Sequence, residues 1–184
     1  KQYAQAIDSY RVVVDRFSSS EFYSQALELL ADCYQNTNQS PLALEMYDRI
    51  LDGFSLANEA EIVILQKKGN LLFQKGDYRR SAAAFESLYD KYPASDFAPE
   101  AMYMRAQSHF KGQMYNVALD ILEQLDQKYP KSKWKVDSYF LQGEVYYALT
   151  EYTKALQAYN KIIRFFPKHG RYFDAQMGVG WSYF

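Results

Sequence analysis

Two histidines and a single cysteine are the residues of this sequence best suited to acid–base, nucleophilic or metal chemistry. His109, His169 and Cys33 stand far apart, without the His-x-x-x-His or Cys-x-x-Cys spacing that holds a metal ion. A string that begins at Gly178 looks like the start of a dinucleotide-binding loop, but Tyr183 replaces its third glycine and no strand precedes it. The sequence therefore predicts no enzyme, no metal site and no cofactor.

The residues that could recognise another molecule are aromatic rings, amides, one methionine and one carboxylate. Rings supply contact area at low entropic cost, and amides can hydrogen-bond to the backbone of a bound peptide. The candidates for a partner-binding groove are Gln66, Asn70, Phe73, Tyr103, Gln107, Phe110, Phe140, Glu144, Tyr147, Met177 and Trp181. They can form one site only if the secondary structure turns them to one surface.

A repeat of 37 or 38 residues organises the chain. The stretch from Tyr152 to Pro167 shows it most plainly, because its apolar residues recur three or four apart, as on one stripe of a helix, and the proline ends it. Its closing aromatic recurs at Phe17, Phe54, Tyr92, Tyr129 and Phe166. The pattern predicts ten helices at about 2–17, 20–37, 40–54, 58–75, 78–92, 95–112, 115–129, 132–149, 152–166 and 171–184.

Small residues mark the predicted helix crossings. A glycine inside a helix costs about 1 kcal/mol relative to alanine, so Gly69 and Gly143 predict places where two helices nearly touch. In the first helix of each pair the small residue is Ala31, Gly69, Ala106, Gly143 or Gly180. In the second helix it is Ala6, Ala43, Ser81, Ala118 or Ala155.

The connections between helices carry two further signals. Serine followed two residues later by an aromatic, as in Ser95 to Phe97 and Ser132 to Trp134, predicts an N-cap for the next helix and a ring packed on its base. Short turns from each first helix to its second are expected at Asn38, Gly76, Gln113 and Glu151.

Helix geometry places the groove candidates in one narrow arc. With the small residue of each first helix at 0°, the residues three before, one after and four after it lie at about 60°, 100° and 40°. The ring three residues after it lies at about 300°, on the buried side. As an alternative, the rings at Phe73, Phe110, Tyr147, Tyr103 and Phe140 pack between adjacent repeats.

Acidic residues outnumber basic ones along this arc, although the whole chain has 21 basic and 22 acidic residues and a net charge of -1. The acids are Glu28, Asp32, Glu100, Asp137, Glu144 and Asp174, against Lys111. This favours a basic or apolar partner segment; the alternative is solvated carboxylates that bind no charged ligand. The near-neutral chain predicts no nucleic-acid partner, and no apolar run is long enough for membrane insertion.

The repeated residues resemble those of the tetratricopeptide repeat family, whose unit is a helix-turn-helix with small residues at the crossings. The resemblance covers the whole chain and implies an all-α fold, a right-handed superhelical solenoid of antiparallel helix pairs. The unit is longer than the family's usual length of about 34 residues, and its Tyr-Pro-x-Ser connections are similar to those of bacterial cell-envelope members in the Tol-Pal and barrel-assembly systems. The resemblance implies a protein-interaction scaffold in the bacterial periplasm or cell envelope, with the cytoplasm as the alternative.

We expect residues 1–184 to form a single solenoid, which comprises the second helix of repeat 1, four full repeats and the first helix of repeat 6. Because the sequence starts in mid-pattern, it looks like a fragment of a longer protein. Lys68 and Ser81 depart from the repeat pattern and predict looser packing in the third repeat. The competing functions are a self-assembly module with exposed end helices and a helical accessory domain of an envelope enzyme.

Overall fold

Ten α-helices and no strand make up residues 2–184, the residues that the computed structural model describes. The helices are α1 (Gln2–Arg16), α2 (Tyr23–Asn36), α3 (Ser40–Gly53), α4 (Asn58–Gln74), α5 (Tyr78–Lys91), α6 (Ala98–Lys111), α7 (Tyr115–Lys128), α8 (Lys135–Ala148), α9 (Tyr152–Phe165) and α10 (Tyr172–Tyr183). The all-α prediction is confirmed. Each helix starts and ends within about three residues of its predicted bounds, which is the usual precision of a periodicity argument.

The helices group into two compact units. The N-terminal unit contains α1 to α4 and ends at Asp77, and the C-terminal unit contains α5 to α10 and runs Tyr78–Phe184. Within each unit every helix packs on the helix that follows it, and α8 also contacts α6 and α10. A single solenoid over residues 1–184 stays a prediction.

Each first helix turns into its second through one residue in the left-handed region. The N–H that follows this residue donates to a carbonyl five positions back, as from Gln39 to Tyr34 at 2.8 Å, which closes the helix end. At the last turn Thr150, rather than the predicted Glu151, takes this conformation. The positive φ angles are 59° at Asn38, 78° at Gly76, 62° at Gln113 and 60° at Thr150.

The serines of the opposite connections do not cap helices, contrary to the prediction. The helices α6 and α8 begin at Ala98 and Lys135, and neither has a side-chain hydrogen bond at its N-cap. Ser132 Oγ instead accepts a hydrogen bond from the N–H of Trp134 at 3.1 Å. The serine side chain therefore stabilises the turn before the helix, and the helix starts three residues later than expected.

Apolar clusters fill the helix interfaces of both units. One cluster in the N-terminal unit contains Tyr47, and two in the C-terminal unit contain Leu122 and Tyr159. These three residues stand four positions after the small crossing residue of their second helices, and each is fully buried. The small crossing residues Ala43 and Ala118 are fully buried as well, so the predicted core register is confirmed there.

Two glycines contact one core ring. A Cβ atom on Gly178 of α10 would lie 2.6 Å from the ring of Tyr159, and a Cβ atom on Gly143 of α8 would lie closer still. The close approach predicted at Gly143 is confirmed. At Gly180, by contrast, no other part of the described residues outside its own helix backbone lies within 4 Å of the Cβ position.

The two residues of the third repeat that depart from the pattern have polar partners in the neighbouring repeats. Ser81 is fully buried, and its hydroxyl lies 3.0 Å from that of Ser108. Lys68 forms an ion pair with Asp48 at 2.6 Å. Each polar group therefore has a partner, and looser packing within the third repeat stays a prediction.

Candidate functional site

Four of the predicted groove residues meet in one cleft of the C-terminal unit. The cleft lies between α8 and α10 and has a volume of about 350 Å³. It exists because these two helices pack side by side and turn equivalent repeat positions toward each other. Its lining residues are Phe140, Glu144, Arg171, Asp174, Met177 and Trp181.

The α10 wall of the cleft is apolar and exposed. Met177 and Trp181 stand one helical turn apart, so their side chains lie on the same face. They expose 56% and 52% of their surfaces. On the α8 wall Phe140 is half-buried, with its ring centroid 5.7 Å from that of Tyr159. The cleft therefore presents two large apolar side chains to solvent beside a ring that is anchored in the core.

A carboxylate in this cleft is held by a core tyrosine. The hydroxyl of Tyr159 donates a hydrogen bond to Glu144 at 2.6 Å. Burial of Tyr159, followed by this bond to a carboxylate, raises the pKa of its hydroxyl. By helix position Tyr159 belongs to the core and Glu144 to the groove, but in the structure a hydrogen bond joins them directly.

Arg171 closes one side of the cleft, and the sequence analysis does not single it out. Its guanidinium donates to Asp137 at 2.8 Å and to Asp174 at 3.1 Å, and lies 4.7 Å from the ring centroid of Phe140. The hydrogen bond to Asp137 raises the pKa of this guanidinium. The available signal was its register, since Arg171 stands one repeat after Trp134.

Tyr103 is not a groove residue, contrary to the prediction. Only 5% of its surface is exposed, because the ring of Trp134 stacks on it with centroids 4.7 Å apart. Burial, together with the charge of Asp137, raises the pKa of Tyr103 to about 12. The helical-wheel argument fails here because it ignores the side chain that the next connection lays over the helix.

Three other candidates of the C-terminal unit lie outside the cleft. The half-buried ring of Phe110 is tilted against Tyr115 at 5.9 Å, and Tyr147, 40% exposed, meets Tyr152 edge-on at 5.4 Å. Each ring packs on the first ring of the next helix, so packing explains both, although within a helix pair rather than between repeats. Gln107 is half-buried on α6.

The remaining candidates, Gln66, Asn70 and Phe73, are half-buried on α4 of the N-terminal unit. A neighbour that the sequence analysis does not single out, Lys67, pairs with Glu28 at 2.8 Å and with Asp32 at 2.9 Å. Both of these carboxylates belong to the predicted arc. In the N-terminal unit Lys67 therefore neutralises the carboxylates of the arc.

Ion pairs neutralise most of the acidic excess predicted along the arc. Lys67 pairs with two of the six acids and Arg171 with two more. Lys133 Nζ lies 3.8 Å from Glu100. The count of six acids against one base is therefore wrong as a measure of local charge. Among these six acids, Glu144 is the one that forms no ion pair with a Lys, Arg or His of residues 2–184.

The residues best suited to catalysis are placed as packing residues. Cys33 is buried, and burial raises the pKa of its thiol, which lowers the thiolate fraction. Desolvation lowers the pKa of the half-buried His109. Among the described residues, no three His, Cys, Asp or Glu side chains are grouped to hold a metal ion. None of the described helices combines the length and apolar character of a membrane span.

Family models identify the repeat. Two tetratricopeptide repeat models match residues 67–133 and 136–169, together more than half of the chain. The outer membrane protein assembly factor BamD of Rickettsia prowazekii (strain Madrid E) is 33% identical over 63 residues. That match covers 34% of this chain and 25% of the relative, so it spans a quarter of the relative's length.

Solved structures with similar folds include two repeat proteins. A tetratricopeptide repeat protein from Parabacteroides merdae matches with a TM-score of 0.74 and 17% identity, over 98% of this chain and 66% of that one. YrrB, described as a TPR protein with an unusual peptide-binding site, matches with a TM-score of 0.69 and 16% identity, over 96% and 84%. At these identities the likeness establishes the fold, an all-α solenoid of helix pairs.

Proposed function

Because this chain belongs to the tetratricopeptide repeat family, we propose that it is a non-enzymatic scaffold that binds a peptide or a segment of a partner protein in the cleft between α8 and α10. Solenoids of this kind generally serve protein–protein interaction. The observation that carries the proposal is the convergence of Phe140, Glu144, Met177 and Trp181 in one cleft.

The chemistry of the cleft favours an apolar or basic partner segment. Trp181 and Met177 offer contact area to an apolar side chain, and an indole also attracts a cation. The carboxylate of Glu144 disfavours an acidic ligand by charge repulsion. A net charge of -1 over the whole chain favours a protein partner over nucleic acid.

The names of similar proteins support the same reading. YrrB is described as having a peptide-binding site, and BamD is an outer membrane protein assembly factor. We extend both features to this chain as proposals: a peptide ligand and a location in the bacterial cell envelope.

Selection of a random peptide display library on the purified chain tests the proposal. The wild-type chain should enrich a family of related sequences. Combined Trp181→Ala and Met177→Ala substitutions should abolish the enrichment, because they remove the exposed wall of the cleft. Leu42→Ala with Val63→Ala is the matched control, since these apolar side chains are exposed in the N-terminal unit. Absence of enrichment on the wild type, or equal enrichment on the Trp181/Met177 variant, would contradict the proposal, provided that circular dichroism shows unchanged helicity.

A self-assembly module is the second candidate function, and the other exposed aromatic side chains of α10 favour it. Phe173 and Tyr183 expose 77% and 76% of their surfaces, and the space around the Cβ position of Gly180 is open. Exposed apolar patches of this kind are typical of interaction surfaces. Light scattering over a concentration series should show a mass that rises in the wild type and stays monomeric after Phe173→Asp and Tyr183→Asp. A monomeric wild type at every concentration would exclude this function.

A further inference from the structure

We infer that Glu144 receives a lysine or arginine side chain of the partner segment, as a cation subsite inside the cleft. The inference rests on the proposed function, because it assigns the chemistry of the partner at the same site. The N-terminal unit pairs the equivalent carboxylate with both a tyrosine hydroxyl and a lysine, whereas Glu144 has only the tyrosine hydroxyl.

The complete contact lies in the N-terminal unit. The core hydroxyl of Tyr47 donates to Asp32 at 3.2 Å, which orients the carboxylate from below. Lys67 of α4 then donates to the two oxygens of the same carboxylate at 3.0 Å and 2.9 Å. Asp32 is thus held between a core tyrosine and a cation from the next first helix.

The C-terminal unit repeats the lower half of this contact. Glu144 follows the small residue Gly143, as Asp32 follows Ala31. Tyr159 occupies the position of Tyr47 in its repeat, and its hydroxyl donates to Glu144 at 2.6 Å. The carboxylate is therefore oriented in the same way.

The C-terminal unit lacks the cation contact because its equivalent of Lys67 has no side chain. Lys67 stands two residues before Gly69, and the residue two before Gly180 is Gly178. The ring of Tyr159 fills the space that a Cβ atom at Gly178 would need. No side chain can therefore approach Glu144 from that position without moving the ring.

The other cation of the cleft is already engaged. Arg171 donates to Asp137 and Asp174 and lies over the ring of Phe140. Removing it from two carboxylates to serve a third would exchange one ion pair for another. Neither Gly178 nor Arg171 therefore supplies a cation to Glu144, and a bound partner can.

The intervening repeats support a positional role for the tyrosine hydroxyl. At the position of the carboxylate they carry the amides Asn70 and Gln107, and at the ring position they carry Phe85 and Leu122. The hydroxyl thus occurs in the repeats where a carboxylate stands and is absent where an amide replaces it. This pairing is expected if the hydroxyl holds the carboxylate toward a cation.

The walls of the cleft suit a long basic side chain. The aliphatic stem of lysine or arginine can lie along Met177 and Trp181 while its charged end reaches Glu144. The indole adds cation–π attraction. Exposed carboxylates without these apolar walls would not favour a long basic side chain over other cations.

The library selection, repeated on Glu144→Gln, tests the inference. Wild type should enrich sequences with lysine or arginine beside an apolar residue. Replacing the lysine or arginine of a selected peptide by norleucine should weaken its binding to the wild type about five- to tenfold. The same replacement should leave its binding to Glu144→Gln unchanged. Glu45→Gln is the matched control, because it removes the same charge from an exposed side chain on α3. Tyr159→Phe, which keeps the ring between the two glycines, should lose part of the preference.

The outcomes separate this inference from the proposed function. Enrichment of apolar or acidic sequences that bind wild type and Glu144→Gln equally would overturn the inference and leave the scaffold function in place. Failure of the wild type to enrich any sequence would overturn both. A norleucine effect of the same size on wild type and Glu144→Gln would place the cation elsewhere and overturn the inference as well.

Discussion

The indole of Trp134 stacks on the ring of Tyr103, with centroids 4.7 Å apart and planes at 21°. One repeat later Arg171 takes the same place over Phe140, also at 4.7 Å. The flat indole covers Tyr103, which is buried. The guanidinium of Arg171 is instead hydrogen-bonded to Asp137 and Asp174, and Phe140 stays half-buried at the edge of a cleft. Equivalent positions therefore form core in one repeat and line a cleft in the next.

Trp134→Ala should destabilise the C-terminal unit by about 2–3 kcal/mol, because it removes an aromatic stack and uncovers a buried ring. Urea denaturation followed by circular dichroism measures the change. Trp181→Ala is the control, since it removes the same side chain from a site that is 52% exposed, and it should cost less than about 0.5 kcal/mol. Equal losses from the two variants would show that the stack contributes nothing particular.

Alkaline pH should destabilise the fold. An unfolded chain loses tyrosine protons near pH 10, whereas folded Tyr103 keeps its proton to about pH 12. Between these values the folded state binds more protons, so the free energy of unfolding falls as the pH rises from about 10 toward about 12. The raised pKa values of Tyr47 and Tyr159 act in the same direction.

Urea titrations at pH values from about 8 to about 11 measure this slope. Tyr103→Phe removes one of the titrating groups, so its free energy of unfolding should fall less steeply above about pH 10 than that of the wild type. Below about pH 10 the two proteins should show the same pH dependence. Identical slopes for the two proteins would rule out a raised pKa at Tyr103.

Gly178→Ala should cost about 1–3 kcal/mol, because its methyl group would lie 2.6 Å from the ring of Tyr159 and force the ring or the helix to shift. Gly180→Ala provides the opposite control on the same helix, two residues away. Its methyl group meets open space, so the better helix propensity of alanine should raise stability by up to about 1 kcal/mol. Thermal denaturation ranks the variants, and a less stable Gly180→Ala would contradict the placement of α10.

Thr150→Gly should stabilise the chain by about 0.5–1 kcal/mol, because a β-branched residue at a φ of 60° is strained and glycine is not. Gly76→Thr makes the reverse change at the equivalent turn and should destabilise by a similar amount or more. Calorimetric melting temperatures measure both effects. A loss of stability in Thr150→Gly would mean that the threonine side chain contributes more than its backbone strain costs.

The sequence by itself predicts the helices, the repeat period and the core register. These features follow from local order, because a helix turns by about 100° per residue and its buried stripe must recur every three or four positions. The small residues at Ala43 and Ala118 and the core position of Tyr159 were readable for that reason. Gathering Phe140, Glu144, Met177 and Trp181 on one arc follows from the same geometry.

Only the tertiary structure decides which side chains cover, pair or expose these positions. Trp134 covers Tyr103, Lys67 neutralises Asp32, and Arg171 ties Asp137 to the wall of the cleft, through contacts that span about one repeat of the chain. A periodic pattern assigns the same face to every equivalent residue, so it cannot distinguish a covered Tyr103 from a half-buried Phe140. The difference depends on the residue that the neighbouring helix brings into contact, and that is a property of packing rather than of period.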